Sequence, residues 1–388
     1  MRRPRFVGLA AAAAALAAFA VASGPAPPRK KLLEWGWSQP DTAGLRARLA
    51  EMERAPFDGC VFGVGYGPGG KAGSFTWQAW GRRRFSREDL ASAESDLRAL
   101  RPRRFQALFL RMNVTPGDVG WFQDHAAVLA NAEHAARLAR LGRARGVLLD
   151  VEQYEAPLFD FRRQPMAEAY GWDAYAAQVR ARGREVMAAF QRGYPGLTVL
   201  LTFGHTLPWY QMTAAGPVGP AGRRDAPVPP GARRALADVT YGLLAPFVDG
   251  LLDGARGRTL VVDGFELSYG FREPARFAEA RRAFAAGALP IVADAAAYRR
   301  HARLAFGLWL DYDWRHLGWF PREPSRNHFT PESLATALRA AREATDELVW
   351  LYSEKAPWWS ATSPPPLRYR LVVQSFSREP APSEGRRP

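Results

Sequence analysis

The stretch Leu148-Leu149-Asp150-Val151-Glu152 sets two carboxyl groups two residues apart where an apolar run ends. Residues two apart on a strand point to the same side, so Asp150 and Glu152 share the face that Leu148 carries into the interior. Carboxyls held together in a partly dry place raise one another's proton affinity. That is the arrangement for acid/base work, one group protonated to donate and one ionised to attack or to activate water. Further acids stand at the ends of other apolar runs: Glu34, Glu266, Asp311 with Asp313, and Glu354. One such acid alone reads as a helix cap or an arginine's partner, but acids at five strand ends leave too many burial costs unexplained.

The elements that must position these groups follow a repeating pattern. Strands are expected at 31–36, 58–64, 105–112, 146–152, 197–203, 259–266, 304–311 and 347–353. Helices are expected at 41–54, 87–100, 121–143, 172–193, 233–255, 274–287 and 331–346, with Asp41 and Thr330 as caps. Eight near-continuous apolar strands alternating with helices suit a parallel sheet covered on both faces, and the fold class expected is an α/β (β/α)8 TIM barrel, single domain with rim loop insertions. An open doubly wound sheet would carry a Gly-rich phosphate turn after its first strand, and "EWGWSQPD" is not one. The glycine-rich "GYGPGGKAG" at 65–73 reads as a flexible loop, and 205–232, rich in Pro and Gly, as a rim insertion. The barrel is expected over 30–360 and a disordered tail over 377–388.

Residues 1–24, three arginines followed by an Ala-rich apolar run, read as a signal peptide, with an uncleaved N-terminal anchor as the competing reading, and imply an exported protein, periplasmic or extracellular. No later segment is apolar and long enough to cross a membrane. Cys60 is the sole cysteine, inside the apolar "DGCVFGV", and reads as core. The formal charge is +15, yet 49 of the 53 basic residues are Arg in an Ala-rich chain, a compositional bias and not a basic stripe. A nucleic-acid partner is therefore not expected; an anionic carbohydrate stays open. Oligomeric state is not legible.

Aromatic residues crowd the same strand ends. Trp35, Trp37, Trp209, Trp314, Tyr154 and Tyr269 accompany the carboxyls, with Arg111, Asn113 and His205 beside them. Indoles that take the C–H face of a sugar, next to groups that bond hydroxyls, point to a carbohydrate. Two carboxyls flanking a glycosidic bond are the working parts of most glycoside hydrolases. Glu152 is the expected acid, with Asp150 beneath it. Its partner is expected to be Glu266, with Asp311 and Asp313 as rivals. The substrate contacts are expected from Glu34, Trp35, Trp37, Arg111, Asn113, Tyr154, His205, Trp209, Tyr269, Trp314 and Glu354.

With these residues in place, the chain resembles the secreted (β/α)8 glycoside hydrolases. "LLDVE" is similar to the strand-four signature of the family 18 chitinases, and that resemblance implies Glu152 as general acid with Asp150 two residues before it. Where that family has two further acids this chain has Leu148 and Arg145, so substrate-assisted chitin cleavage is not implied. More broadly, "KLLEWGW", "PFDGCVF", "LLDVEQY", "GFELSYG" and "GLWLDYDW" resemble an uncharacterised group of bacterial exported barrel proteins. Two other readings stay open: a non-catalytic carbohydrate-binding barrel and a metal-dependent hydrolase on the same fold. For the second, the six histidines include no His-x-His pair, and neither metal nor cofactor is expected.

Overall fold

The computed structural model describes residues 29–213, 234–360 and 362–378. The proposed signal segment, residues 214–232 of the Pro- and Gly-rich loop, and the tail beyond Arg378 lie outside the described residues. Eight parallel strands form the sheet: β1 (Lys31–Gly36), β2 (Gly59–Phe62), β3 (Phe109–Asn113), β4 (Gly146–Asp150), β5 (Thr198–Leu201), β6 (Leu260–Asp263), β7 and β8 (Leu348–Ser353). β7 comes as two runs, Ala302–Leu304 and Phe306–Trp309. The first run pairs with β6 and the second with β8, which pairs in turn with β1. The Ala305 N–H between the runs donates to the Asp263 carbonyl at 2.8 Å. The break thus lets one strand serve both neighbours, and the sheet closes into a TIM barrel.

The principal helices are α1 (Thr42–Met52), α2 (Ala91–Ala99), α3 (Ala126–Leu141), α4 (Ala167–Gly193), α5 (Thr206–Thr213), α6 (Leu244–Gly254), α7 (Pro274–Arg282), α8 (Ala295–His301), α9 (Pro331–Ala344) and α10 (Leu367–Arg378). Both expected caps form: Asp41 accepts the Gly44 N–H at 2.7 Å, and Thr330 accepts the Ser333 N–H with Pro331 at the first helical position. α5, α8 and α10 are additions to the expected set. α10 carries the fold past residue 360, because Tyr369, Val373 and Phe376 pack into the main core, and it runs through Ser377 and Arg378, where a disordered tail was expected. The glycine-rich 65–73 stretch is not a loose loop either. Gly65–Tyr66 pairs antiparallel with Gly73–Ser74, and Gly67, Gly69 and Gly70 take the positive φ that this tight reversal needs.

Alternation along the strands divides the interior in two. Leu33, Val61, Phe109, Leu148, Leu200, Val262, Ala305 and Leu348 point into the barrel, topped by Trp35 and Trp350. Their neighbours, among them Leu32, Cys60, Leu110, Leu149 and Leu308, point outward under the helices. Trp350 lies across the barrel beneath the mouth, its indole N–H donating to the Gly264 carbonyl at 2.9 Å. A Cβ at Gly307 would stand 2.5 Å from that indole, so glycine is what admits it. At the opposite end Arg145 and Lys31 both pair with Glu347 and close the base of the barrel.

Candidate active site

The site is built first on β3 and β4. Phe109, Arg111 and Asn113 point inward on one, Leu148 and Asp150 on the other, with Asn113 directly opposite Asp150. Arg111 Nη2 donates to Asp150 Oδ2 at 2.6 Å; Asp150 is buried and Arg111 partly so. The guanidinium lies between two indoles, 5.1 Å from the Trp35 ring centre and 5.0 Å from that of Trp77. β4 ends at Asp150, where the chain turns and the Glu152 N–H donates to Asp150 Oδ1 at 3.1 Å. The turn keeps the second carboxyl over the first. The Tyr154 hydroxyl joins them, 3.2 Å from Asp150 Oδ2 and hydrogen-bonded to Glu152 Oε2.

Glu266 arrives from β6 by a strained path. Asp263 points outward, and its Oδ1 accepts the Phe265 N–H at 3.1 Å while Oδ2 accepts the Thr206 hydroxyl at 2.6 Å. Phe265 itself is left-handed, φ 46° and ψ 54°, a conformation that a bulky residue keeps only when its surroundings impose it. The bend turns Glu266 toward the mouth, with its N–H on the Thr202 carbonyl at 3.2 Å. Tyr269 donates to its side chain, and Glu266 Oε2 is buried with no protein partner. The Asn113 amide is likewise buried with neither its nitrogen nor its oxygen paired.

These groups feel one another. Burial raises the Glu152 carboxyl to about 8, and the neighbouring Asp150 adds to the effect against the Tyr154 hydrogen bond and the Arg111 charge. Burial also pushes Glu266 well above the ordinary carboxyl range, followed by repulsion from Glu152 and Asp150. The Tyr154 hydroxyl has a single proton to give. Both of its carboxyl contacts are satisfied when Glu152 carries its own proton and donates to the Tyr154 oxygen while Tyr154 donates to Asp150. Geometry and electrostatics therefore agree on a protonated Glu152 near neutral pH.

Several expected members stand elsewhere. Glu34 lies between inward Leu33 and Trp35, so it points out under the helices beside Cys60; Ser38 donates to one oxygen and the other is unpaired. His205 is buried outside the ring, bonded to Asp249 at 2.9 Å and edge-on to Tyr298. Trp209 packs on Tyr210 in the same outer layer. Asp311 is consumed by structure, accepting the Trp309 indole N–H and the backbone N–H groups of Glu354, Lys355 and Ala356. Asp313 pairs with Lys355 and caps the Gly318 N–H. Trp314 is half-buried on the loop after β7. Glu354 accepts from Tyr352, which also takes the Trp37 indole N–H at 2.9 Å. The structure thus brings together Arg111, Asn113, Asp150, Glu152, Tyr154, Glu266 and Tyr269, with Trp35 beneath.

Two participants escaped the sequence reading. Trp77, in the β2 loop, packs on Tyr154 with ring centres 5.2 Å apart. Tyr352, inward on β8, stacks on Tyr269 at 5.2 Å and 22°. The second was legible, because Leu348, Trp350 and Tyr352 alternate along one strand.

No family model and no curated protein sequence matches the chain. Among solved structures it is similar to an exo-beta-1,4-mannosidase from Opitutaceae bacterium strain TAV5, with 13% identity and TM-score 0.44 over 90% of this chain. The chain spans 59% of the length of that mannosidase. An endo-beta-1,4-glucanase from Xanthomonas axonopodis pv. citri shares 13% identity at TM-score 0.39, covering 86% of this chain and 89% of that one. Endonuclease IV from Thermus thermophilus shares 11% at TM-score 0.37, covering 89% and 99%. Similarity at this level, spread over unlike activities, leaves the reading of the site to its side chains.

Proposed function

We propose that the protein is a glycoside hydrolase that acts outside the cytoplasm, with Glu152 as general acid and Glu266 as its partner carboxyl. The observation that supports it is the convergence of Glu152 and Glu266, from β4 and β6, close enough to repel each other at the mouth of a barrel floored by aromatic rings. Protonated Glu152 donates to the leaving glycosidic oxygen as the bond to the anomeric carbon breaks. Glu266 acts in its ionised form, which a neutral Glu152 favours by removing a like charge; it attacks that carbon or takes a proton from the water that does, and the developing positive charge on the sugar is met by Glu266 and Asp150. Asp150, clamped by Arg111, holds Tyr154 and through it the orientation of the acid. Trp35, Trp77 and Tyr269 are the apolar surfaces for sugar C–H faces, and the unpaired Asn113 amide is suited to a hydroxyl, which can both give and accept a hydrogen bond.

The test is release of reducing ends from a panel of glycans by the wild type, Glu152→Gln and Glu266→Gln. Turnover lost in both variants supports the assignment. Turnover that survives both changes ends it, and binding without turnover in the wild type identifies a carbohydrate receptor instead.

A further inference from the structure

Exposed aromatic rings are not scattered over this surface. Among the described residues five aromatic side chains are exposed: Trp37, Trp77, Phe122, Tyr154 and Tyr170. All five stand on segments that leave the C-terminal ends of strands: Trp37 after β1, Trp77 after β2, Phe122 after β3, Tyr154 and Tyr170 after β4. Apart from Tyr170 in the first turn of α4, the described residues of the helices α1 to α10 and of the opposite rim present none. Trp37 is 74% exposed, yet it is fixed in orientation by its N–H bond to Tyr352, which stacks on Tyr269 beside Glu266. Phe122, after β3, and Tyr170, in the first turn of α4, stack face to face with centres 4.3 Å apart at 24°. A lone exposed ring is ordinary. A set confined to the segments after β1 to β4, with Trp37 tethered to Tyr352, Trp77 packed on Tyr154 and Phe122 stacked on Tyr170, is not.

We infer that this face is an extended binding surface for a neutral polymeric glycan, with Trp37 at one end and the Phe122–Tyr170 pair at the other, and that cleavage falls within the chain instead of at its end. The inference rests on the glycoside hydrolase reading of the carboxyl pair. Neutral sugars fit because the one guanidinium in the cluster, Arg111, is already paired with Asp150, which leaves no free cation there to receive an acidic sugar ring. Polymers fit because the exposed rings stand on the segments after four successive strands, β1 to β4, more positions than one sugar ring can cover. Tethered indoles and stacked rings lose little freedom when a pyranose face settles on them.

The test uses gluco-, manno- and xylo-oligosaccharides of two to six units, together with soluble glucomannan, xylan and an α-glucan, on the full chain. For the wild type, solution viscosity of the degraded polymer should fall well ahead of reducing-end release, and kcat/KM should climb with oligomer length. In Trp37→Ala and in Tyr170→Ala the ratio of hexamer to dimer kcat/KM should drop at least tenfold, through KM. Release of only mono- or disaccharides from chain ends, or a ratio unmoved in both variants, overturns the inference while the hydrolase reading stands. Retardation of Glu152→Gln in gels containing the polymers, without wild-type turnover of any of them, keeps the surface and overturns the hydrolase. Neither retardation nor turnover overturns both.

Discussion

Glu34 and Glu152 are two acids that burial drives to the same place: both are raised to about 8. Glu34 sits on an outward position of β1, sealed under the helices, with Cys60 for a neighbour and Ser38 as its hydrogen-bond donor. Glu152 sits past the end of β4, in a cluster with a tyrosine, an arginine and two more carboxyls that faces the mouth. Elevated proton affinity alone therefore does not separate a working acid from a stranded one. Position at the barrel mouth and the company of further carboxyls are what set Glu152 apart.

Replacing the acids should show that difference most strongly. Glu152→Gln or Glu266→Gln should cut turnover by about a thousandfold, the usual scale for a lost acid or base, with the circular dichroism spectrum unchanged; Glu34→Gln should leave kcat as it is. A Glu34→Gln enzyme as dead as Glu152→Gln would erase the contrast. Arg111→Met strands the buried Asp150 charge, and its unfolding free energy in urea should fall by about 3 kcal/mol. That variant should lose activity as well, because Asp150 and Tyr154 no longer hold the acid.

The acidity of Glu34 offers a subtler probe. Its native form keeps the proton up to about 8 while the unfolded chain releases it near 4.5, so its contribution to stability declines as pH rises through that window, by up to about 1.4 kcal/mol per pH unit. Urea midpoints at pH 5 and pH 8 should therefore lie closer together for Glu34→Gln than for the wild type; equal separations would contradict its burial. On the glycoside hydrolase reading the other acid should give an alkaline limb, kcat/KM falling as pH passes about 8 and Glu152 gives up its proton. The smallest effect is expected from Asp311→Asn. Losing charge at a carboxylate that ties backbone N–H groups should cost about 1 to 2 kcal/mol of stability, with kcat intact in the folded fraction.

Much of this was legible from residue order. The eight apolar runs, their parallel arrangement and the caps at Asp41 and Thr330 follow from periodicity and local chemistry. Strand ends were harder: β6 stops at Asp263 and not at 266, because Phe265 turns left-handed to be held by Asp263, and no propensity announces that. Parity was underused. Leu33 and Trp35 alternate into the barrel, which sends Glu34 outward, and the same reasoning recovers Tyr352. Asp311 has a parity that would admit it, but four N–H donors from its own strand and the next loop were invisible without the fold. His205 and Trp209 were assigned by nearness to a strand end, a criterion that ignores which way the chain leaves it.

Gly307 draws a limit under all of this. A single methyl group there would stand 2.5 Å from the indole of Trp350, the ring that covers the packed apolar interior of the barrel, and would displace it. The floor at the mouth thus owes its place to a side chain that is missing, so a ligand there would lie along the rim and could not pass down the axis.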